Sequence, residues 1–226
     1  MKMDTRFTFV GQTLTARPSG ALWWAAAGVL AVADLHFGRS ERLARRGGTL
    51  LPPYDTAETL ARLTREVRAL APRTIVCLGD SFDDLAAANG LDAAARATVS
   101  DLAAGRRWIW VAGNHDPADP GFGGEAVETF HAGPLCFRHI AARQPAAGEV
   151  SGHYHPKLGV PTRAGHIRRP CFLWDGQRIV LPAFGTYTGG LSARDPALRA
   201  LFPDGAEAIL TGRRTVSVPV GLHQSA

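Results

Sequence analysis

"GVLAVADLHFG", residues 28–38, runs five apolar residues straight into an acid and an imidazole. A short apolar run without polar alternation fits a buried strand running into a polar loop. The strand would then deliver Asp34 and His36 at its carboxyl end. The same arrangement occurs twice more: "RTIVCLGDSFDD" (73–84) ends in Asp80, and "RRWIWVAGNHD" (106–116) ends in Asn114 and His115. In α/β sheets, functional groups gather at the carboxyl ends of strands.

Helical patterns separate the three runs. "SERLARRGG" (40–48) reads as a short basic helix. "DTAETLARLTREVRAL" (55–70) reads as an amphipathic one with Asp55 as its N-cap, and "LDAAARATVSDLAAG" (91–105) as a third. Upstream, "FTFVGQTLTARPSGALWW" (7–24) breaks at glycines like short antiparallel strands. Downstream the pattern turns mostly to strands, in "VETFHAGPLCFRHI" (127–140), "GEVSGHYH" (148–155), "HIRRPCFLWDGQRIVLPAF" (166–184) and "RTVSVPV" (214–220). This order predicts a two-layer or sandwich α/β fold with helices packed outside the sheets. With no repeat and no long Pro/Gly/Ser linker, residues 1–226 read as a single domain.

Composition agrees: 46% hydrophobic and 20% charged residues describe an ordinary globular chain. The net charge is +5, and 23 of the 25 basic residues are arginines, the exceptions being Lys2 and Lys157. Arginine's planar fork suits phosphate, which points to an anionic partner such as nucleic acid; an arginine-rich codon bias explains the count equally well. Cys77, Cys136 and Cys171 are odd in number and form no C-x-x-C pair, which fits reduced thiols in the cytoplasm. The apolar run Ala21–Ala33 is too short to span a bilayer and has no basic leader before it. It reads as buried strand, with no membrane association expected.

The chemistry-bearing residues fall in a fixed order: D-x-H (Asp34, His36), G-D (Asp80), G-N-H-D (Asn114, His115), H (His139), then G-H-x-H (His153, His155). Carboxylates, imidazoles and one amide oxygen form a mixed donor set suited to Mn²⁺, Fe or Zn²⁺ rather than Ca²⁺. Each fragment alone is weak. Asp80 after glycine could close a turn, Asn114 could be a turn residue, and His139 could be an ordinary core histidine. Their co-occurrence behind apolar strands makes the case.

This series resembles the calcineurin-like metallophosphoesterase family, a four-layer α/β β-sandwich flanked by helices. The resemblance implies two divalent metal ions, Mn²⁺ first, with Fe or Zn²⁺ as alternatives. Asp34, His36 and His155 would hold one, Asn114, His139 and His153 the other, and Asp80 would bridge them. His115 would stay off the metals and protonate the leaving oxygen, oriented by Asp83, with Asp84 as the rival and Asp116 in a supporting position. Paired cations lower the pKa of water and shield phosphate charge, so no serine or cysteine nucleophile is needed. Ser81 also lacks the G-x-S-x-G setting of a nucleophile elbow.

"ADLHFGRSERLARRGGTLLPPYD", "CLGDSFDD", "SGHYHPK", "RRPCFL" and "LPAFGTYTGGL" further resemble a bacterial branch of that family, the ligase-associated DNA-damage-response endonucleases. That likeness implies a DNA substrate and functional association with a DNA ligase, a helicase and an exonuclease. One departure is that members of the branch often carry histidine where Asp83 stands. Near the motifs, Arg39 is the leading candidate for a substrate phosphate contact. Arg42 and Arg45 are as compatible with a solvated helix face. Arg168 and Arg169 fit a second phosphate contact or an outer strand face; Phe184 and Tyr187 fit base stacking or core. Two other functions stay open: a small-molecule phosphoesterase acting on nucleotides, and a non-catalytic protein-binding scaffold.

Overall fold

The computed structural model describes residues 4–48, 50–115, 121–144, 146–162 and 165–221; Asp116 lies outside them. The chain opens with β1 (Thr5–Phe9), β2 (Gln12–Ala16), β3 (Leu22–Trp24) and β4 (Val29–Val32). Then come α1 (Arg39–Arg45), α2 (Asp55–Leu70), β5 (Thr74–Leu78), α3 (Leu85–Gly90), α4 (Ala93–Ala103) and β6 (Arg107–Val111). The strand-rich half holds β7 (Glu125–Val127), β8 (Thr129–Ala132), β9 (Leu135–Arg138), β10 (Glu149–Ser151), β11 (Lys157–Thr162), β12 (Gly165–Trp174) and β13 (Arg178–Val180). It closes with α5 (Pro196–Leu201), β14 (Ala206–Leu210) and β15 (Val216–Val220).

Strands β1 to β7 form one sheet in chain order; the other runs β15-β14-β12-β13-β10-β9-β8, with β11 paired to β12. The three apolar runs become the parallel centre of the first sheet, β4-β5-β6. Their alternation explains the lack of polar residues. Val29, Ala31, Val76, Leu78, Ile109 and Val111 face the second sheet, where they meet Phe137, Val150, Phe172 and Ile209. Leu30, Val32, Ile75, Cys77, Trp108 and Trp110 face the opposite way, onto Leu60, Leu63 and Val67 of α2 and Val99 and Leu102 of α4. Outside the second sheet, Leu173, Val180 and Leu210 pack on Leu198 of α5 and on Phe202. The layers are therefore helix, sheet, sheet, helix, the four-layer α/β sandwich expected.

Several local expectations change. The apolar run 21–33 is not one strand: β3 and β4 pair antiparallel around a turn closed by Gly28 N–H donating to Ala25 O (3.1 Å). Asp55 is not the cap of α2. Tyr54 holds that position without a side-chain cap bond, and the Asp55 carboxylate instead accepts from Ser40 N (3.2 Å) and Oγ (2.5 Å). It thereby joins α2 to α1. Helices α3 and α5 and strands β11 and β14 were not anticipated.

The registers set the site. Val32 lies opposite Cys77 and Cys77 opposite Trp110, so β4, β5 and β6 end level. In the second sheet, β9, β10 and β13 are also parallel. The two sets of carboxyl ends meet at one edge. There Ala33 bridges Ala183, and Gly152 N–H donates to His139 O (2.9 Å).

Candidate metal centre

At this shared edge two groups of donors converge. Asp34, His36 and His155 form one, and Asp80, His139 and His153 the other; within each, the donor atoms lie within 4.8 Å of one another. Asp34 and His139 join them, with Oδ1 3.9 Å from Nδ1. Asn114, which the strand-end reading placed here, has Oδ1 2.9 Å from His139 Nε2. The expected ligands are thus brought together, with Asp80 inside the second group.

The backbone explains how strand ends aim so many side chains inward. Asp34 (φ 54°), His36 (46°), Asp80 (46°), His153 (70°) and His155 (46°) all take the left-handed conformation. Non-glycine residues seldom do so, at a cost of about 1–3 kcal/mol each, and such positions cluster at functional sites. The glycines of the motifs clear space for the donors. A Cβ on Gly79 would lie 2.4 Å from His139 Nδ1, and one on Gly152 2.6 Å from Asp34 Oδ2.

Hydrogen bonds fix the donors' chemistry. His139 Nδ1 lies 2.9 Å from Leu78 O, so that nitrogen carries a proton and Nε2 is the donor atom available to a cation. Asp34 accepts from His153 N–H (3.0 Å) and Asp80 from His115 N–H (2.9 Å), tying both carboxylates to neighbouring loops. Burial disfavours charge on His139, but Asp80 and Asp34 outweigh it and raise its pKa to about 9. Burial likewise opposes ionisation of Asp80, while His139 and the His115 N–H bring its pKa down to about 2. His153 moves the other way, lowered by burial and by the charge of His139. The first group shows its fit differently: His36 Nε2 is buried with no hydrogen-bond partner among the described residues. An imidazole nitrogen buried without a partner beside two further donors suits a divalent cation.

Asp83 departs from its expected place. It is fully buried, and its Oδ1 lies 2.7 Å from His36 Nδ1. Arg39 Nη1 donates to Oδ1 and Arg42 Nη1 to Oδ2, each at 2.9 Å. Burial works against the charge, but these partners hold the carboxyl well below the usual carboxylate range. Asp83 therefore orients His36, leaving Nε2 as the donor, in a carboxylate–histidine pair of the kind that supports metal ligands. Asp84 does not orient His115 either; it caps α3 through Ala87 N–H (2.7 Å) and pairs with Arg45 (2.8 Å). Among the described residues the His115 ring meets the His36 ring, centroids 5.7 Å apart, and no carboxylate.

The arginine expectations shift accordingly. One arm of Arg39 is engaged by Asp83, so its position serves the centre's frame before any substrate. Phe184 is core, 1% exposed beneath the Arg62 guanidinium, whereas Tyr187 is open to solvent. Arg168 donates to Gly190 O (2.9 Å). The Asp83–His36 pair and the cap by Asp84 escaped the sequence reading. The acid doublet after "GDSF" was its only signal.

No helix among the described residues is long and apolar enough to cross a membrane. No curated protein matches the chain significantly. Among solved structures, the nuclease MPE of Pseudomonas putida is similar over 96% of this chain and 100% of its own, with 29% identity and a TM-score of 0.72. The family model for calcineurin-like phosphoesterase matches residues 28–192, which takes in every donor described above. The chain belongs to the calcineurin-like phosphoesterase family and is a metal-dependent phosphoester hydrolase.

Proposed function

We propose that the protein is a two-metal nuclease hydrolysing phosphodiester bonds of DNA, with residues 1–226 acting as one catalytic domain. The observation that supports it best is the pair of donor groups facing each other at one sheet edge. In this reading Asp34, His36 and His155 hold one cation, Asn114, His139 and His153 the other, and Asp80 lies between them. Divalent cations, when bound, supply Lewis acidity and water of lowered pKa. Asp83 fixes the His36 ring, and Leu78 O fixes that of His139. His115, its backbone held by Asp80 and its ring half-exposed at the mouth, donates a proton to the leaving alkoxide.

A nucleic-acid substrate is supported by the likeness to the Pseudomonas putida nuclease and by the arginine-rich charge, and DNA in particular by the branch resemblance. The DNA-damage role and association with a ligase, helicase and exonuclease follow from the branch resemblance, Mn²⁺ as the native metal from the mixed donor set, and the cytoplasmic setting from the three cysteines that form no C-x-x-C pair.

Metal-stripped protein titrated with Mn²⁺ should hydrolyse bis(p-nitrophenyl) phosphate and single-stranded DNA. DNA cleavage should weaken steeply with salt. Cleavage confined to a nucleotide panel would replace the nuclease reading with a small-molecule one. No Mn²⁺-stimulated hydrolysis of any substrate would remove both.

A further inference from the structure

Beside the metal centre lies a cavity of about 480 Å³, walled by α2, the start of β11, the middle of β12 and the loop 184–190. That loop packs directly on ligand backbone at both ends. A Cβ on Gly185 would lie 2.3 Å from Leu35 O, and one on Gly190 2.1 Å from His155 O. Between these anchors it is tied down further. Thr186 N–H donates to Thr59 Oγ1 (3.0 Å), Lys157 Nζ to Thr188 O (2.9 Å), and Arg62 to Phe184 O. The result is a rigid support for one residue, Tyr187. The residue is 39% exposed, and its backbone sits at φ 61°, a conformation that bulky residues avoid. Burial of the ring cannot account for that strain.

The wall is cationic. Of its carboxylates, Glu66 accepts from Arg17 Nε (2.8 Å), and Glu58 acts electrostatically on Arg62. Arg65, Lys157 and Arg169 remain as positive groups facing the cavity. Lys157 follows the ligand His155 by two residues, and its ammonium is held at the cavity wall by Thr188 O. Three positive side chains lining one cavity call for an anion. An exposed, rigidly held aromatic next to them calls for a flat apolar group.

We propose that Tyr187, Lys157 and Arg169 form a subsite for a nucleotide of the bound strand adjacent to the scissile phosphate. Tyr187 carries the base, and Lys157 and Arg169 hold its phosphate. This deepens the nuclease reading and rests on it for the identity of the strand.

The test uses metal-loaded enzyme hydrolysing bis(p-nitrophenyl) phosphate, with a short oligothymidylate and an abasic oligonucleotide of equal length as competitors. Tyr187→Ala should keep hydrolysis of the small diester within about twofold. It should weaken inhibition by oligothymidylate roughly 5- to 100-fold, and leave inhibition by the abasic strand unchanged. Tyr187→Phe should behave as wild type. Lys157→Ala should weaken both strands and lower the logarithmic salt slope by about 0.7. The subsite is refuted if Tyr187→Ala weakens both strands equally, if it weakens neither, or if thymidine monophosphate inhibits as strongly as the oligomer. Gel analysis of the same oligothymidylate with Mn²⁺ judges the nuclease reading separately. An uncleaved strand that still depends on Tyr187 sinks that reading and spares the subsite.

Discussion

Asp83→Asn is the most informative single substitution, because two roles for Asp83 predict different outcomes. Asparagine keeps the shape and one acceptor but removes the charge shared by His36 (2.7 Å), Arg39 (2.9 Å) and Arg42 (2.9 Å). Removing one member of a buried ion pair costs about 3–5 kcal/mol. The two arginine side chains are 23% and 18% exposed, so solvent screens part of that loss. A destabilisation of about 2–3 kcal/mol follows, readable as a lower urea midpoint. Because the folded carboxyl titrates below its ordinary value, its contribution is present above the ordinary carboxylate range. It disappears as pH falls through the depressed value. The gap between wild type and variant should therefore narrow in acid. Metal affinity should fall about 10- to 100-fold, since the His36 ring loses its orienting acceptor. Competition between Mn²⁺ and a chelator measures this directly, with Asp84→Asn as the control that keeps its metals. If Asp83→Asn binds metal like wild type yet shows the leaving-group dependence of His115→Ala, Asp83 serves His115 and the assignment made here is wrong.

Three further outcomes are expected. His115→Ala should retain its metals on elemental analysis and lose most turnover, least with good leaving groups; loss of metal would reassign it as a ligand. Metal uptake by stripped protein at pH 7.5 should release protons, because His139 titrates near 9 and is protonated there. Calorimetry in buffers of different ionisation enthalpy reads the release, and buffer-independent heats would contradict it. Glu149→Ala leaves Arg178, 1% exposed, without its carboxylate neighbour at 3.8 Å. It should cost about 3–5 kcal/mol in urea unfolding while leaving metal content intact.

What could be read from the chain divides along physical lines. The central strands were legible because burial on both faces removes polar residues, and β4, β5 and β6 show it. The donors were legible because strand ends are where such a sheet presents side chains. Helix α3 was hidden: "LAAANG" carries little periodicity, and its cap, Asp84, was read with the site. Strands β11 and β14 were missed because proline and glycine in the first and alternating Glu and Ala in the second mask a strand pattern. The partner of Asp83 could not be read at all. It depends on a left-handed His36 that turns its ring back toward the following strand, and no spacing rule encodes that.

The same backbone feature accounts for "SGHYH". In a regular strand His153 and His155 would project to one side and could serve one ion. Both are left-handed instead, at φ 70° and 46°, so the chain turns between them. Nδ1 of His153 comes to 3.2 Å from His139 Nε2, while Nε2 of His155 reaches 3.0 Å from Asp34 Oδ1. Two neighbouring imidazoles thus enter different donor groups. The Cβ-free Gly152 and Gly190 are what let this turn sit against Asp34 and the second sheet's closing loop. Gly152→Ala has an allowed φ but no room, with its methyl 2.6 Å from Asp34 Oδ2. It should therefore displace Asp34 and empty the first group, while Gly159→Ala, in open space, should not. Equal metal content in the two variants would show that the split of the two histidines does not depend on this close approach.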